Sequence, residues 1–272
     1  MITSTRSHRA GSPTASAPGD ATLPGLVILP EGAAGSQTSV LPREQAAPGT
    51  LTPAPTILVD IDTQADFCDA DGALAVPGAD APSVRAEMAS LVASARRGGA
   101  LHLATADDHQ LSDPEISDSP DFRTTFPPHC LRATPGAMKV DETRQHDPFV
   151  LGDGDYSDGA VAALLARHRE VLVLKQTTDA FSAPGLGRIL TAAAPTRAIV
   201  FGVATDICVS AAVAGLVARG IEVWVVADAC AGLDAANTEA CLLRWRSEGV
   251  RLATLDEAER ALQHPGARTD LL

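Results

Sequence analysis

Thr56-Ile-Leu-Val-Asp-Ile-Asp62 is a short, mostly β-branched apolar run closed by two acids. A run of this length without alternation is what a strand buried on both faces requires. Comparable runs recur at 100–105, 170–174, 197–203, 221–227 and, more weakly, at 250–254. Helical patterning fills the gaps at about 82–97, 155–168, 184–194, 206–219, 234–248 and 255–263. Gly98-Gly99, Gly220 and Gly249 stand where helix C-caps belong. Regular alternation of strand and helix predicts an α/β fold: three layers, α/β/α, around a central and mostly parallel sheet of about six strands.

The composition agrees. The chain has 272 residues, 45% hydrophobic and 20% charged, the balance of an ordinary globular protein long enough to bury a full core. Aromatics are only 3%, so the core is to be built from Ala, Val, Leu and Ile. The formal charge of −13 repels phosphate backbones and no run of Lys or Arg offsets it, so no nucleic-acid partner is expected. No apolar run reaches the ~18 residues of a membrane span, and no apolar stretch follows Arg6 and Arg9 as a signal peptide demands. The five cysteines, Cys68, Cys130, Cys208, Cys230 and Cys241, are odd in number and lack C-x-x-C spacing, which points to a reducing, cytoplasmic setting.

Residues 1–55 are rich in Ala, Gly, Pro, Ser and Thr and lack periodicity; they read as a tail, with Leu26–Leu29 as one short stretch that could dock. The folded unit is expected over 56–264, with a C-terminal tail over 265–272. Within it, 106–148 is full of Asp, Pro and His without a regular period. A loop of that length inside a compact domain is usually functional.

In open parallel sheets, ligands bind beyond the carboxyl ends of the strands. Asp62, Lys175 and Cys208 all fall at such ends. Cys208 lies in the first turn of the 206–219 helix, with Thr205 or Asp206 as its N-cap, where the helix dipole and a nearby lysine favour thiolate. Each residue alone also has a plain structural reading: a buried core thiol, a solvated strand-end lysine, a loop-capping carboxylate. Their joint placement favours chemistry. A second group, Asp107-x-His109 with the distant His129, suits a divalent transition metal, although loop histidines in water would look the same. His102, inside a strand, reads as a hydrogen-bonded core residue.

Asp62-Thr-Gln-Ala-Asp-Phe-Cys68 with Asp71-Gly-Ala-Leu-Ala-Val-Pro-Gly78, Phe126-Pro-Pro-His-Cys130 with Thr134-Pro-Gly136, and Gly202-Val-Ala-Thr-Asp-Ile-Cys-Val209 resemble, in this order, the motifs of nicotinamidases among the isochorismatase-like cysteine hydrolases. The resemblance runs from about Thr56 to Leu255. It implies a catalytic triad of Asp62, Lys175 and Cys208, and metal ligands Asp107, His109 and His129 holding Zn²⁺ foremost, with Fe²⁺ or Mn²⁺ as alternatives. It further implies a cis Val203–Ala204 peptide, an oxyanion hole of the Ala204 and Cys208 amides, and ring-stacking by Phe67 and Phe126. The implied activity is hydrolysis of nicotinamide to nicotinate and ammonia through a Cys208 thioester; another small amide or a carbamoyl compound is the alternative substrate. The partner is thus a small-molecule amide, and folds of this kind commonly self-associate into homo-oligomers. Two departures stand out. Phe126 replaces the Trp of many nicotinamidases, and Glu115 stands where some carry a further His.

Overall fold

The computed structural model describes residues 56–152 and 154–266. The expected tail, with Leu26–Leu29, lies outside the described residues, as does the chain after Gly266. Seven strands form one parallel sheet: β1 (Thr56–Ile61), β2 (Leu101–Asp107), β3 (Phe149–Leu151), β4 (Glu170–Lys175), β5 (Arg197–Val203), β6 (Glu222–Ala231) and β7 (Arg251–Leu252), in the order β3-β4-β2-β1-β5-β6-β7. The strand beyond the expected six is β3, three residues after Pro148 at the sheet edge.

The helices are α1 (Ala65–Cys68), α2 (Pro82–Gly98), α3 (Asp158–Leu165), α4 (Pro184–Ala193), α5 (Ser210–Val217), α6 (Ala235–Ser247) and α7 (Leu255–Gln263). Two hydrophobic layers hold them to the sheet. On one face, Ile57, Val59 and Ile61 of β1 belong to a cluster with α3, α4, α5 and α6, among them Ile189, Val213 and Trp245. On the other, Leu58 joins Met88 and Leu91 of α2 and Leu262 of α7. Every residue of β1 and β2 is buried, as the unalternating sequence run requires. No helix among the described residues is long and apolar enough to cross a membrane.

Strand order turns around at β1: β2, β4 and β3 lie to one side and β5, β6 and β7 to the other. That reversal opens a crevice at the carboxyl ends of β1, β2, β4 and β5. Gly202 lets β5 pass close beside β1. It sits at φ +128°, and a Cβ there would collide with the carbonyl of Ile61. The Val203–Ala204 peptide that follows is cis, as expected.

Candidate active site

The crevice gathers residues that are far apart in the chain. Asp62 follows β1 at φ +50°, a left-handed conformation that Asp tolerates and that swings its side chain out of the strand line. Lys175 ends β4 and pairs in register with Asp107, which ends β2. Its ammonium lies 2.9 Å from Asp62 Oδ2, touches Asp107 Oδ1, donates to the Thr177 carbonyl at 3.0 Å and stands 4.0 Å from Cys208 Sγ. All four side chains are buried. The three residues expected from the sequence to converge do so, and the lysine joins them to the aspartate expected to bind metal.

Cys208 differs from the expectation in its local setting. It lies in a π-helical turn, Thr205–Val209, that leads into α5, and no side chain caps that turn. Asp206 turns away and accepts the amides of Leu233 at 2.8 Å and Asp234 at 3.0 Å, so it fastens the loop before α6 to the cysteine turn. Burial pushes the Cys208 thiol well up, outweighing the nearby Lys175. Burial also raises Asp62 in spite of Lys175. Lys175 goes the other way: burial opposes its charge, but Asp107 and Asp62 hold it firmly protonated. The result is a thiol and a carboxylate both with raised proton affinity beside a fixed ammonium, an arrangement able to move one proton from sulfur to oxygen as the sulfur attacks.

Beside this group, ligand atoms of Asp107, His109, Glu115 and His129 all lie within 4.8 Å of one another, and all four residues are buried. His109 Nε2 and His129 Nε2 face Asp107 Oδ2 at 3.8 and 3.6 Å. His109 Nε2 has no hydrogen-bond partner, unusual for a buried ring nitrogen. Its other nitrogen, Nδ1, meets Asp113 Oδ2 at 3.3 Å, while His129 Nδ1 meets the Pro127 carbonyl at 2.7 Å. Those outer contacts fix both rings with Nε2 turned inward. Burial would raise Asp107, but Lys175 and the two imidazoles outweigh it and bring it down to about 2. Burial and Asp107 lift Glu115 to about 7. Two imidazoles and two carboxylates converging on one point fit Zn²⁺, Fe²⁺ or Mn²⁺.

A pocket of about 340 Å³ joins the two groups. Phe67, Phe126, Val76 and Leu233 form its apolar walls, and Cys208, Asp107, Glu115, His129 and Thr178 its polar end. Phe67 and Phe126 pack on His129 with ring centroids 5.2 and 6.1 Å away. No Lys or Arg is among the lining residues.

Several residues that hold this site are ordinary polar residues whose supporting role only the fold shows. Gln64 clamps the backbone of Asp107 from both sides, accepting its amide at 2.7 Å and donating to its carbonyl at 2.8 Å. Asp66 accepts the Cys130 amide at 2.7 Å, tying the turn after β1 to the His129 loop. Lys139, reached only through the long loop, buries its ammonium 2.9 Å from Asp60 Oδ1. Asp60 also accepts from Thr63 at 2.8 Å and meets His102 Nε2 at 3.3 Å, so His102 is the hydrogen-bonded core residue expected.

Comparison with known proteins bears on this geometry. The family model described as isochorismatase domain matches residues 56–257. The nicotinamidase/pyrazinamidase of Mycobacterium tuberculosis is 30% identical over 200 residues, 72% of this chain and 96% of that protein. Among solved structures, the pyrazinamidase of Pyrococcus horikoshii in complex with zinc superposes with a TM-score of 0.58 at 25% identity, covering 74% of this chain and 99% of that one. The N-carbamoylsarcosine amidase from Thermoplasma acidophilum shares the fold, with a TM-score of 0.56 at 22% identity over 74% of this chain and 97% of that one.

Proposed function

The chain belongs to the isochorismatase domain family, as a nicotinamidase-like amidohydrolase of linear carboxamide C–N bonds, and from this we propose that it hydrolyses nicotinamide to nicotinate and ammonia through a thioester on Cys208. The observation that carries the reading is the Lys175 ammonium set between Asp62 and Cys208, with Cys208 lining a small pocket. The unit responsible is the folded segment 56–264, and free cysteines throughout suit a cytoplasmic enzyme.

The steps follow from the atoms. Asp62 takes the thiol proton of Cys208 as the sulfur bonds to the carboxamide carbon. The backbone amides of Ala204 and Cys208 receive the oxyanion; loss of one such donor typically costs about 3 kcal/mol. Asp62 returns the proton to the nitrogen, the C–N bond breaks and ammonia leaves, with the acyl group on sulfur. A water then gives its proton to Asp62 and adds its oxygen to the carbonyl. The C–S bond breaks and the sulfur recovers a proton, releasing the acid. Lys175, charged throughout, steadies both the carboxylate and the developing thiolate. Phe67 and Phe126 pack the substrate ring. Asp107, His109, His129 and Glu115 would hold a divalent ion, Zn²⁺ foremost, which supplies a Lewis-acid anchor for a ring nitrogen.

The apolar walls of Phe67, Phe126, Val76 and Leu233 suit a neutral ring amide. Ammonia release from nicotinamide, measured with and without a chelator, tests substrate and metal together. The expected result is steady release that chelation abolishes and zinc restores. No release from nicotinamide, together with turnover of an N-carbamoyl acid, refutes the substrate.

A further inference from the structure

Thr105 points inward from β2 and is fully buried, and its hydroxyl makes two contacts, both with Asp62. The Asp62 amide donates to Thr105 Oγ1 at 3.2 Å, and Thr105 Oγ1 donates to Asp62 Oδ1 at 2.6 Å. Hydrogen-bond inventory fixes these directions: an amide only donates, so the hydroxyl accepts from it, and the single hydroxyl proton is left for the carboxylate. The first contact satisfies a backbone donor where β1 leaves the sheet and Asp62 takes its positive φ. The second makes the two carboxylate oxygens unequal. Oδ1 is occupied, whereas Oδ2 has no hydrogen bond of regular geometry and faces Lys175.

From this geometry we infer that Thr105 is a positioning residue that holds the Asp62 carboxylate in place to receive the proton of Cys208. The same hydroxyl holds the Asp62 backbone in its turned-out conformation, so one residue fixes both the main chain and the side chain of the acid. Thr105 is itself held from below, where its carbonyl accepts from Lys139 at 3.1 Å. The inference rests on Asp62 acting as the base for Cys208, and the test separates the two.

The test uses the full chain as purified, with Thr105→Val, Thr105→Ser and Asp62→Asn variants. Valine keeps the shape and loses the hydroxyl; serine keeps the hydroxyl and loses a methyl. Two quantities are read: kcat and KM for nicotinamide, and the rate of Cys208 alkylation by iodoacetamide, followed by peptide mass spectrometry. Loss of one hydrogen bond to a charged group predicts a ~10- to 100-fold fall in kcat and in alkylation rate for Thr105→Val, with KM nearly unchanged. Thr105→Ser is expected to stay within about threefold of the parent in both. Should Thr105→Val fail to fold, Thr105→Ala carries the same expectation. If Asp62→Asn slows alkylation but folded Thr105→Val matches the parent, the inference about Thr105 is wrong and the base remains. If Asp62→Asn alkylates as fast as the parent, the base assignment itself is wrong, and Thr105 with it.

Discussion

Replacing Lys175 by Met removes the one ammonium that touches both acids of the site while keeping a side chain of similar length. Two effects follow. At 4.0 Å and an effective dielectric of about 20, attraction between a Cys208 thiolate and this ammonium is worth about 4 kcal/mol. That equals roughly three units of thiol acidity, so kcat is expected to fall by about 10³. The second effect is on the fold. Asp62 and Asp107 are left buried without their cation, and breaking a buried pair costs about 3–5 kcal/mol. Lys175→Arg separates the two, since it keeps the charge but cannot reproduce the compact contacts. The assay is ammonia release alongside urea unfolding of chelator-treated protein. A Lys175→Met variant that keeps kcat within about threefold, or loses less than about 1 kcal/mol of stability, refutes the reasoning about this lysine.

Three further outcomes are expected. Asp113→Ala frees the outer nitrogen of His109, so metal affinity measured by calorimetry should weaken ~10- to 100-fold, while Asp113→Asn, which still offers an oxygen, should bind nearly as well as the parent. Burial opposes the charge of Asp60, but Lys139 and His102 outweigh it and hold it below the usual carboxylate range, so its contribution is present above about pH 4 and lost as the pH falls through its lowered value. The stability gap between the parent and Lys139→Met in urea titrations should therefore be largest at neutral pH and narrow toward pH ~3; a gap that widens on acidification contradicts this. Gly202→Ala forces a side chain against the Ile61 carbonyl in a backbone conformation that disfavours one, and a melting temperature lower by roughly 5–10 °C is expected by differential scanning calorimetry.

The strands that position the site were readable because they are buried on both faces and so appear as unbroken apolar runs. β5 matches its expected span residue for residue, and β2 and β4 extend slightly past theirs to Asp107 and Lys175. β3 was invisible for the opposite reason: three residues after a proline carry no periodicity, and pairing with β4 alone makes them a strand. Asp62, Lys175 and Cys208 were legible as candidate reactive residues at strand ends, and the fold brings them together. Their supports were not, because each is an ordinary polar residue whose partner is distant in the chain. Gln64 and Asp107 are separated by 43 positions and Lys139 and Asp60 by 79, and only the folded sheet shows that they meet. The cysteine turn was misread as a capped helix because Asp206 has the chemistry of an N-cap but spends its oxygens on the loop before α6. Dipole and lysine arguments favour a thiolate, whereas burial, which no local pattern reveals, pushes the thiol the other way.

The central claim is that Cys208 carries the acyl group. Acid quenching of nicotinamide turnover, followed by mass analysis of the intact protein and its peptides, tests it directly. A pyridine-carbonyl adduct on the Cys208 peptide is expected, with neither adduct nor ammonia release in a Cys208→Ala variant whose melting temperature is unchanged. Continued hydrolysis by purified Cys208→Ala, or an adduct on another residue, contradicts the account.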